Sequence, residues 1–129
     1  MIRKIAMMGA TAVVALGTLA TVPAAAAAPS GTETVAAKPC HKGNICFYTG
    51  RNFTGDRCSR ADNFPHWGSR RCNTQRFRSY INNGKAGYHD DVRAYTKFNY
   101  RGGHFNLRNG AKGNFRAPTP IRSVKWLNF

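Results

Sequence analysis

The residues of this chain equipped for chemistry are four cysteines, four histidines and five carboxylates. A closed metal site asks for thiolates and imidazoles at short, paired spacings. Cys40, Cys46, Cys58 and Cys72 make no Cys-x-x-Cys pair, and His41, His66, His89 and His104 make no close His pair. Glycoside cleavage asks for two carboxylates flanking a bond. Here Glu33 stands near the N-terminus and Asp90 and Asp91 are adjacent, which leaves few such pairs. His66 and Ser69 are separated by Trp67-Gly68, a turn signal rather than a base–nucleophile arrangement. There is no Gly-x-Ser-x-Gly elbow and no glycine-rich phosphate loop. The expectation is a protein without catalysis, cofactor or metal.

What remains for the cysteines is set by compartment. Arg3 and Lys4 precede an apolar, uncharged stretch over residues 5–22, and the alanine run 24–28 offers Ala-x-Ala cleavage sites. Residues 1–28 thus read as an export signal, cleaved near residues 26–28. A membrane anchor is the rival reading, and no basic stop-transfer flank follows the stretch to support it. Residues 29–39 are small, polar and free of aromatics, which predicts a flexible leader. The folded unit is expected over 40–129, about ninety residues, near the size where burial alone stabilises only marginally. Four cysteines in an exported chain imply two disulfides with three possible connectivities. Cys40–Cys46 and Cys58–Cys72 are favoured, because short loops close at the least entropic cost.

Charge sets the second bound. Without Arg3 and Lys4 the chain keeps 18 basic residues against five acidic ones, about +13 with histidine neutral. Such a surface attracts polyanions, or simply confers solubility. The densest cluster is Arg70, Arg71, Arg76 and Arg78, interleaved with Phe64, Trp67, Phe77 and Tyr80. It reads as a patch that grips and stacks on a polyanion, or as strand residues facing a core, with Trp67 covering a Cys58–Cys72 bridge.

The elements that position these groups follow from an internal echo. Tyr48-Thr-Gly-Arg-Asn-Phe53-Thr-Gly55 returns 47 residues later as Tyr95-Thr-Lys-Phe-Asn-Tyr100-Arg-Gly102. Before each copy lies a period-2 strand, Ile45/Phe47 or Val92/Ala94. After each comes a glycine-led second strand, a looser middle, and a closing strand with Arg78-Ser79 or Arg122-Ser123. Gly55 and Gly102 allow the backbone a positive φ, the corner aromatics can fold back over the hairpin, and the serines can satisfy irregular backbone. No helical period survives, so the class is all-β. Two four-stranded units that cannot bury their inner faces alone should pack into one sandwich.

The pattern Tyr-x4-Phe-x-Gly with a serine further on resembles the βγ-crystallin Greek key. With the leading Cys-x5-Cys-x-Tyr, the doubled pattern resembles the secreted actinobacterial proteins of peptidase inhibitor family I36. The resemblance spans residues 40–126. It implies a sandwich of two Greek keys, about 44–83 and 91–128, with Gly55 and Gly102 in folded hairpins and Ser79 and Ser123 bonded to them. It also implies a secreted, monomeric partner of a protease. The inhibitor that names the family resembles a loop blocker of metalloproteinases, stiffened by a disulfide in its second half. This chain has no cysteine after Cys72.

Two exposed loops are expected instead, 83–91 and 109–120. The first joins the Greek keys and carries Tyr88 as its large apolar anchor, with His89, Asp90 and Asp91 placed to approach a catalytic metal. The alternative is a basic effector, similar to the killer-toxin-like branch of the fold, that binds an anionic cell surface or wall polymer. A structural domain without a dedicated ligand is the third reading.

Calcium-binding βγ-crystallins resemble Asn/Asp-Asn/Asp-x-x-Ser/Thr-Ser before the closing strand. Here those positions run from Thr74 to Ser79 and from Pro118 to Ser123, with Arg78 and Arg122 where a hydroxyl belongs. A hard cation needs several oxygen ligands, and these positions supply few. The expected outcome is no melting shift with millimolar calcium. A site occupied at a hundred times its dissociation constant would add about 2.7 kcal/mol, an effect that scanning calorimetry with and without chelator would detect.

Overall fold

The computed structural model describes residues 36–129. The expected export signal and the leader up to residue 35 lie outside the described residues. Seven strands follow one another: β1 (Asn44–Tyr48), β2 (Arg57–Arg60), β3 (Phe77–Asn83), β4 (Asp91–Lys97), β5 (Arg101–Leu107), β6 (Lys112–Thr119) and β7 (Ser123–Leu127). A one-turn helix, α1 (Arg70–Thr74), precedes β3, and its first turn is capped by Ser69 Oγ, which accepts from Cys72 N at 3.3 Å.

The strands form two antiparallel sheets, ordered β2-β1-β3-β6 and β5-β4-β7. The two halves repeat. In each, the first strand is central and the second and last flank it: β1 pairs β2 and β3, and β4 pairs β5 and β7. The middle of each half crosses to the other half's sheet. β6 pairs β3, and Phe64 exchanges two backbone bonds of 3.0 Å with Val124 of β7. This reciprocal crossing makes two Greek keys into one sandwich.

Residues 109–120, expected as an exposed loop, are therefore largely the strand β6. Their Gly-Pro content read as turn chemistry. Yet Phe115 is buried, and Pro118 is tolerated because β6 is an edge strand with no neighbour to receive an N–H.

The core lies between the sheets. Phe47 meets Trp67, Phe77 and Phe115 at ring centroid distances of 6.1, 5.7 and 6.4 Å. Val92, Ala94, Leu107, Val124 and Trp126 close it from the other sheet. Cys40–Cys46 and Cys58–Cys72 are the two disulfides, with Cα separations of 5.9 and 6.0 Å. Cys58, Cys72 and Trp67 belong to one buried cluster.

The echoed motif is a clamp. Asn52, Phe53, Asn99 and Tyr100 all hold positive φ, between 55° and 66°. Each such residue costs about 1–2 kcal/mol of backbone strain. The buried serine of the closing strand offsets it. Ser79 Oγ accepts from Phe53 N at 2.9 Å and donates to Gly50 O at 2.7 Å. Ser123 Oγ accepts from Tyr100 N at 2.9 Å and donates to Lys97 O at 2.6 Å.

The corner rings meet edge to face, Tyr48 with Phe53 at 5.8 Å and Tyr95 with Tyr100 at 5.9 Å. Gly55 and Gly102 hold φ of +83° and +81°, and a Cβ on either would strike the hydroxyl of Thr49 or Thr96. Ser79→Ala and Ser123→Ala should each destabilise the protein by about 1–3 kcal/mol, the cost of orphaning a buried donor and acceptor. Urea unfolding of the oxidised variants measures this, and a loss confined to one half would show that the clamps are not equivalent.

Candidate functional site

The sandwich presents two of the expected features very differently. In the arginine cluster the guanidinium groups of Arg70, Arg71, Arg76 and Arg78 are exposed, but their aromatic companions are not. Phe64, Trp67 and Phe77 are buried in the core and Tyr80 packs half-buried on Phe115 at 5.0 Å. Trp67 spends its indole N–H on Ile121 O at 2.8 Å. Arg71 lies 3.4 Å from Asp56. The cluster is a charged surface without a stacking platform. Of the two readings of these rings, the core-facing one holds: Phe77 packs inward from β3, and Phe64 and Trp67 are carried into the core by the segment between β2 and α1.

The connection between the two halves, residues 83–91, is built the other way, with its polar groups tied down and one ring left out. Its organiser is Asn82, fully buried at the end of β3. Asn82 Nδ2 donates to Leu107 O at 2.8 Å and to Asp90 O at 3.1 Å, and its Oδ1 accepts from Gly84 N at 2.9 Å. Its backbone N–H donates to Ala111 O and its carbonyl accepts from Gly110 N. One side chain thus holds both ends of the loop. Asn83 Nδ2 adds a bond to Cys40 O, and Asn109 Nδ2 donates to Gly84 O at 2.8 Å. Gly84 sits against the Trp126 ring, where a Cβ would come within 2.7 Å of it. No disulfide stiffens the loop, but side-chain amides do.

Both carboxylates bond to this scaffold, Asp91 through both oxygens and Asp90 through one. Asp90 Oδ2 accepts from Gly87 N at 2.8 Å. Asp91 is buried and accepts from Asn109 N at 2.9 Å through Oδ1 and from Phe129 N at 2.8 Å through Oδ2. Backbone N–H groups favour the ionised form, and Phe129 first, then Asn109, hold the Asp91 carboxyl below its ordinary value of 3.8. Asp91 is buried with one bond on each oxygen, whereas Asp90 is bonded within its own turn through Oδ2 alone and stays partly exposed. Burial sets Asp91 back from a partner, while Asp90 keeps Oδ1 without a hydrogen bond among the described residues.

Tyr88 and His89 are what the loop presents. Tyr88 is 82 % exposed and its ring stacks on the His89 imidazole at 3.8 Å. His89 holds φ of +58°, fixed by a bond from its N–H to Asn128 Oδ1. Beside the loop is a cleft of about 500 Å³ whose lining includes Lys42, Asp62, Lys85, Tyr88, His89 and Trp126. Asp62 is neutralised there by Arg60 at 2.8 Å. Sequence reasoning found Tyr88 and missed Asn82, Asn109 and Asn128. The signal for Asn82 was present: an amide inside a strand pattern, directly before Asn-Gly, is a polar group that must bond locally. Among the described residues no cluster of three histidine, cysteine or carboxylate side chains is gathered to hold a metal.

A two-sheet domain with paired disulfides and a tethered, aromatic-tipped loop has the form of a small binding protein. The sequence model of peptidase inhibitor family I36 matches residues 33–107, more than half of the chain, and the protein belongs to that family. No curated protein sequence matches it. The family and the disulfides fit an oxidising, extracellular setting.

Asp91 also makes the loop acid-sensitive. Its folded pKa is depressed, so its stabilisation is present above the unfolded value of 3.8 and is lost as pH falls through the lower folded value. Unfolding by urea at pH 7 and pH 3 should show this loss in the native protein and a smaller one in Asp91→Asn. Equal pH dependence of the two would remove Asp91 from the account.

Proposed function

We propose that this protein is a secreted inhibitor of an extracellular peptidase, and that the loop 83–91 enters the enzyme's cleft with Tyr88 leading. The observation that carries this is the contrast within one loop. Asn82, Asn83, Asn109, Asp90 and Asp91 fix its backbone, while Tyr88 is left 82 % exposed. A single exposed ring is ordinary on a protein surface, and what sets Tyr88 apart is that it stands at the tip of a loop whose backbone is already fixed. Holding the loop beforehand spares the ordering entropy that a mobile segment would lose on binding. Aromatic anchors of this kind dominate compact interfaces.

The left-handed backbone at His89 interrupts the extended run that a substrate presents across its scissile bond, which suits a segment that binds and is cut slowly. A metallopeptidase is the favoured target. With Asp91 buried, the exposed His89 imidazole is the leading group of this loop to reach a metal, and imidazole is a good ligand for zinc. Family membership supports the inhibitor reading at the level of a peptidase partner.

Titration of secreted metallo- and serine peptidases with the oxidised protein tests the reading. Slowing of at least one metallopeptidase at micromolar protein is expected, with Tyr88→Ala weakening inhibition by about tenfold or more, the loss of a 1.4 kcal/mol anchor. Inhibition unchanged in Tyr88→Ala would move the contact elsewhere. No inhibition of any peptidase, together with salt-sensitive retention on whole cells, would favour a basic effector of anionic surfaces.

A further inference from the structure

The two halves share their clamp but not its cover. In the first half a short stretch ahead of β1 lies across the folded hairpin, on three polar groups. Lys38 N donates to Phe53 O at 2.8 Å, Tyr48 OH donates to Lys38 O at 2.8 Å, and Arg57 Nη1 donates to Pro39 O. The leader, expected to be flexible throughout, is thus held at its C-terminal end. Pro39 biases Lys38 toward an extended backbone. Tyr48 is fully buried as a result.

The second half has a matching cradle, differing by a register shift between Tyr95 and Lys97 and by a bond from Asn99 N to Pro65 O at 3.0 Å. Tyr95 opposes His104 in the β4–β5 register as Tyr48 opposes Arg57 between β1 and β2. Tyr100 stands where Phe53 stands, with the same clamp and the same edge-to-face ring contact. Yet among the described residues the Tyr95 hydroxyl, the Tyr100 carbonyl and the His104 ring make no hydrogen bond. Tyr95 is only partly buried and His104 is exposed. The residues that lie 47 positions on from 38–40 are 85–87, and these are drawn away into the Tyr88 loop by the Gly87–Asp90 bond and the Asn109 bond to Gly84 O.

We propose that this second folded hairpin is a docking site for a short acidic peptide segment of a partner protein, laid across Tyr95, Tyr100 and His104 as residues 38–39 are laid across Tyr48, Phe53 and Arg57. The first half shows what the cradle accepts: a backbone N–H for the carbonyl, and backbone carbonyls for the hydroxyl and the basic side chain. Charge selects the acidic sequence. Lys97 and Arg101 are exposed beside the cradle, and Lys125 Nζ lies 4.6 Å from the Tyr100 ring centre. The ion pairs among the described residues, Arg60–Asp62 and Arg71–Asp56, include none of these cations. Phe98, 43 % exposed, adds an apolar contact at the hairpin tip. The site rests on the internal duplication and is independent of the peptidase loop.

The probe is a fluorophore-labelled, N-acetylated and C-amidated heptapeptide of alternating glutamate and alanine, titrated against the oxidised protein by fluorescence anisotropy. Saturable binding is expected. Tyr95→Phe and His104→Ala should each weaken it about threefold or more, the loss of one hydrogen bond. N-methylation of the peptide backbone should weaken it further, and the lysine–alanine analogue should not bind. Unchanged amide NMR signals of Tyr100 and Ser123 in both variants would confirm that the clamp is intact. Absence of saturable binding overturns the proposal, as does equal affinity of the wild type and both variants, which would reduce the effect to surface charge. Tighter binding of a heptapeptide copied from residues 33–39 also overturns it, because the cradle would then belong to a second copy of this chain.

Discussion

The bond pair made by a buried serine at the start of each closing strand is the constraint on which the rest of the structure depends. The hairpins of both halves hold two consecutive residues in the left-handed region, one of them an aromatic. A bulky side chain there is an outlier that persists only where its surroundings over-determine it. Ser79 and Ser123 supply that determination, since each hydroxyl accepts one N–H and donates to one carbonyl of the folded turn. The clamp joins residues 26 positions apart at Phe53–Ser79 and 23 apart at Tyr100–Ser123. It therefore fixes the first and last strands of each Greek key together, and leaves the middle segment free to cross to the opposite sheet.

That crossing explains how about ninety residues sustain one core. Neither three-stranded unit covers its own inner face. Each receives from the other a segment bearing a large ring, Phe115 on β6 and Phe64 at the bridge to Val124. The disulfides reinforce the first half only, where the middle segment is longer and makes one bridge instead of a strand. In the second half β6 is a full strand and no crosslink is present among the described residues.

Duplication sets the scaffold, and both proposed binding surfaces lie where the halves depart from duplication. The connection between the halves cannot repeat the N-terminal cover of the first hairpin, because it must also span to β4. It forms a loop tied by asparagine amides, and so leaves Tyr88 outside and the second aromatic corner uncovered. At the matching position of β7, three residues after Ser123, Trp126 stands in place of Asn82.

The sequence by itself determined the class and the repeat, and favoured the pairing of cysteines that the structure holds. These are written in local quantities: period-2 alternation, a glycine after an aromatic corner, and short loop lengths between half-cystines. The serines of the clamp were legible too, since both copies place Arg-Ser at the head of a strand. Tertiary structure alone decided which polar groups stay free. Asp91 is an acceptor on paper and becomes a buried backbone anchor because Asn109 and Phe129 arrive beside it from other parts of the chain. The rings of Phe64, Trp67 and Phe77, which sat among arginines in the sequence, turn inward because alternation and the crossing of the middle segment face them to the core. Residues 109–120 look like a loop by composition, and become β6 because the edge of β3 offers unpaired N–H and C=O groups that the chain is positioned to meet. Whether a side chain is free for a partner depends on contacts distant in sequence, and those exist only once the two halves have closed on each other.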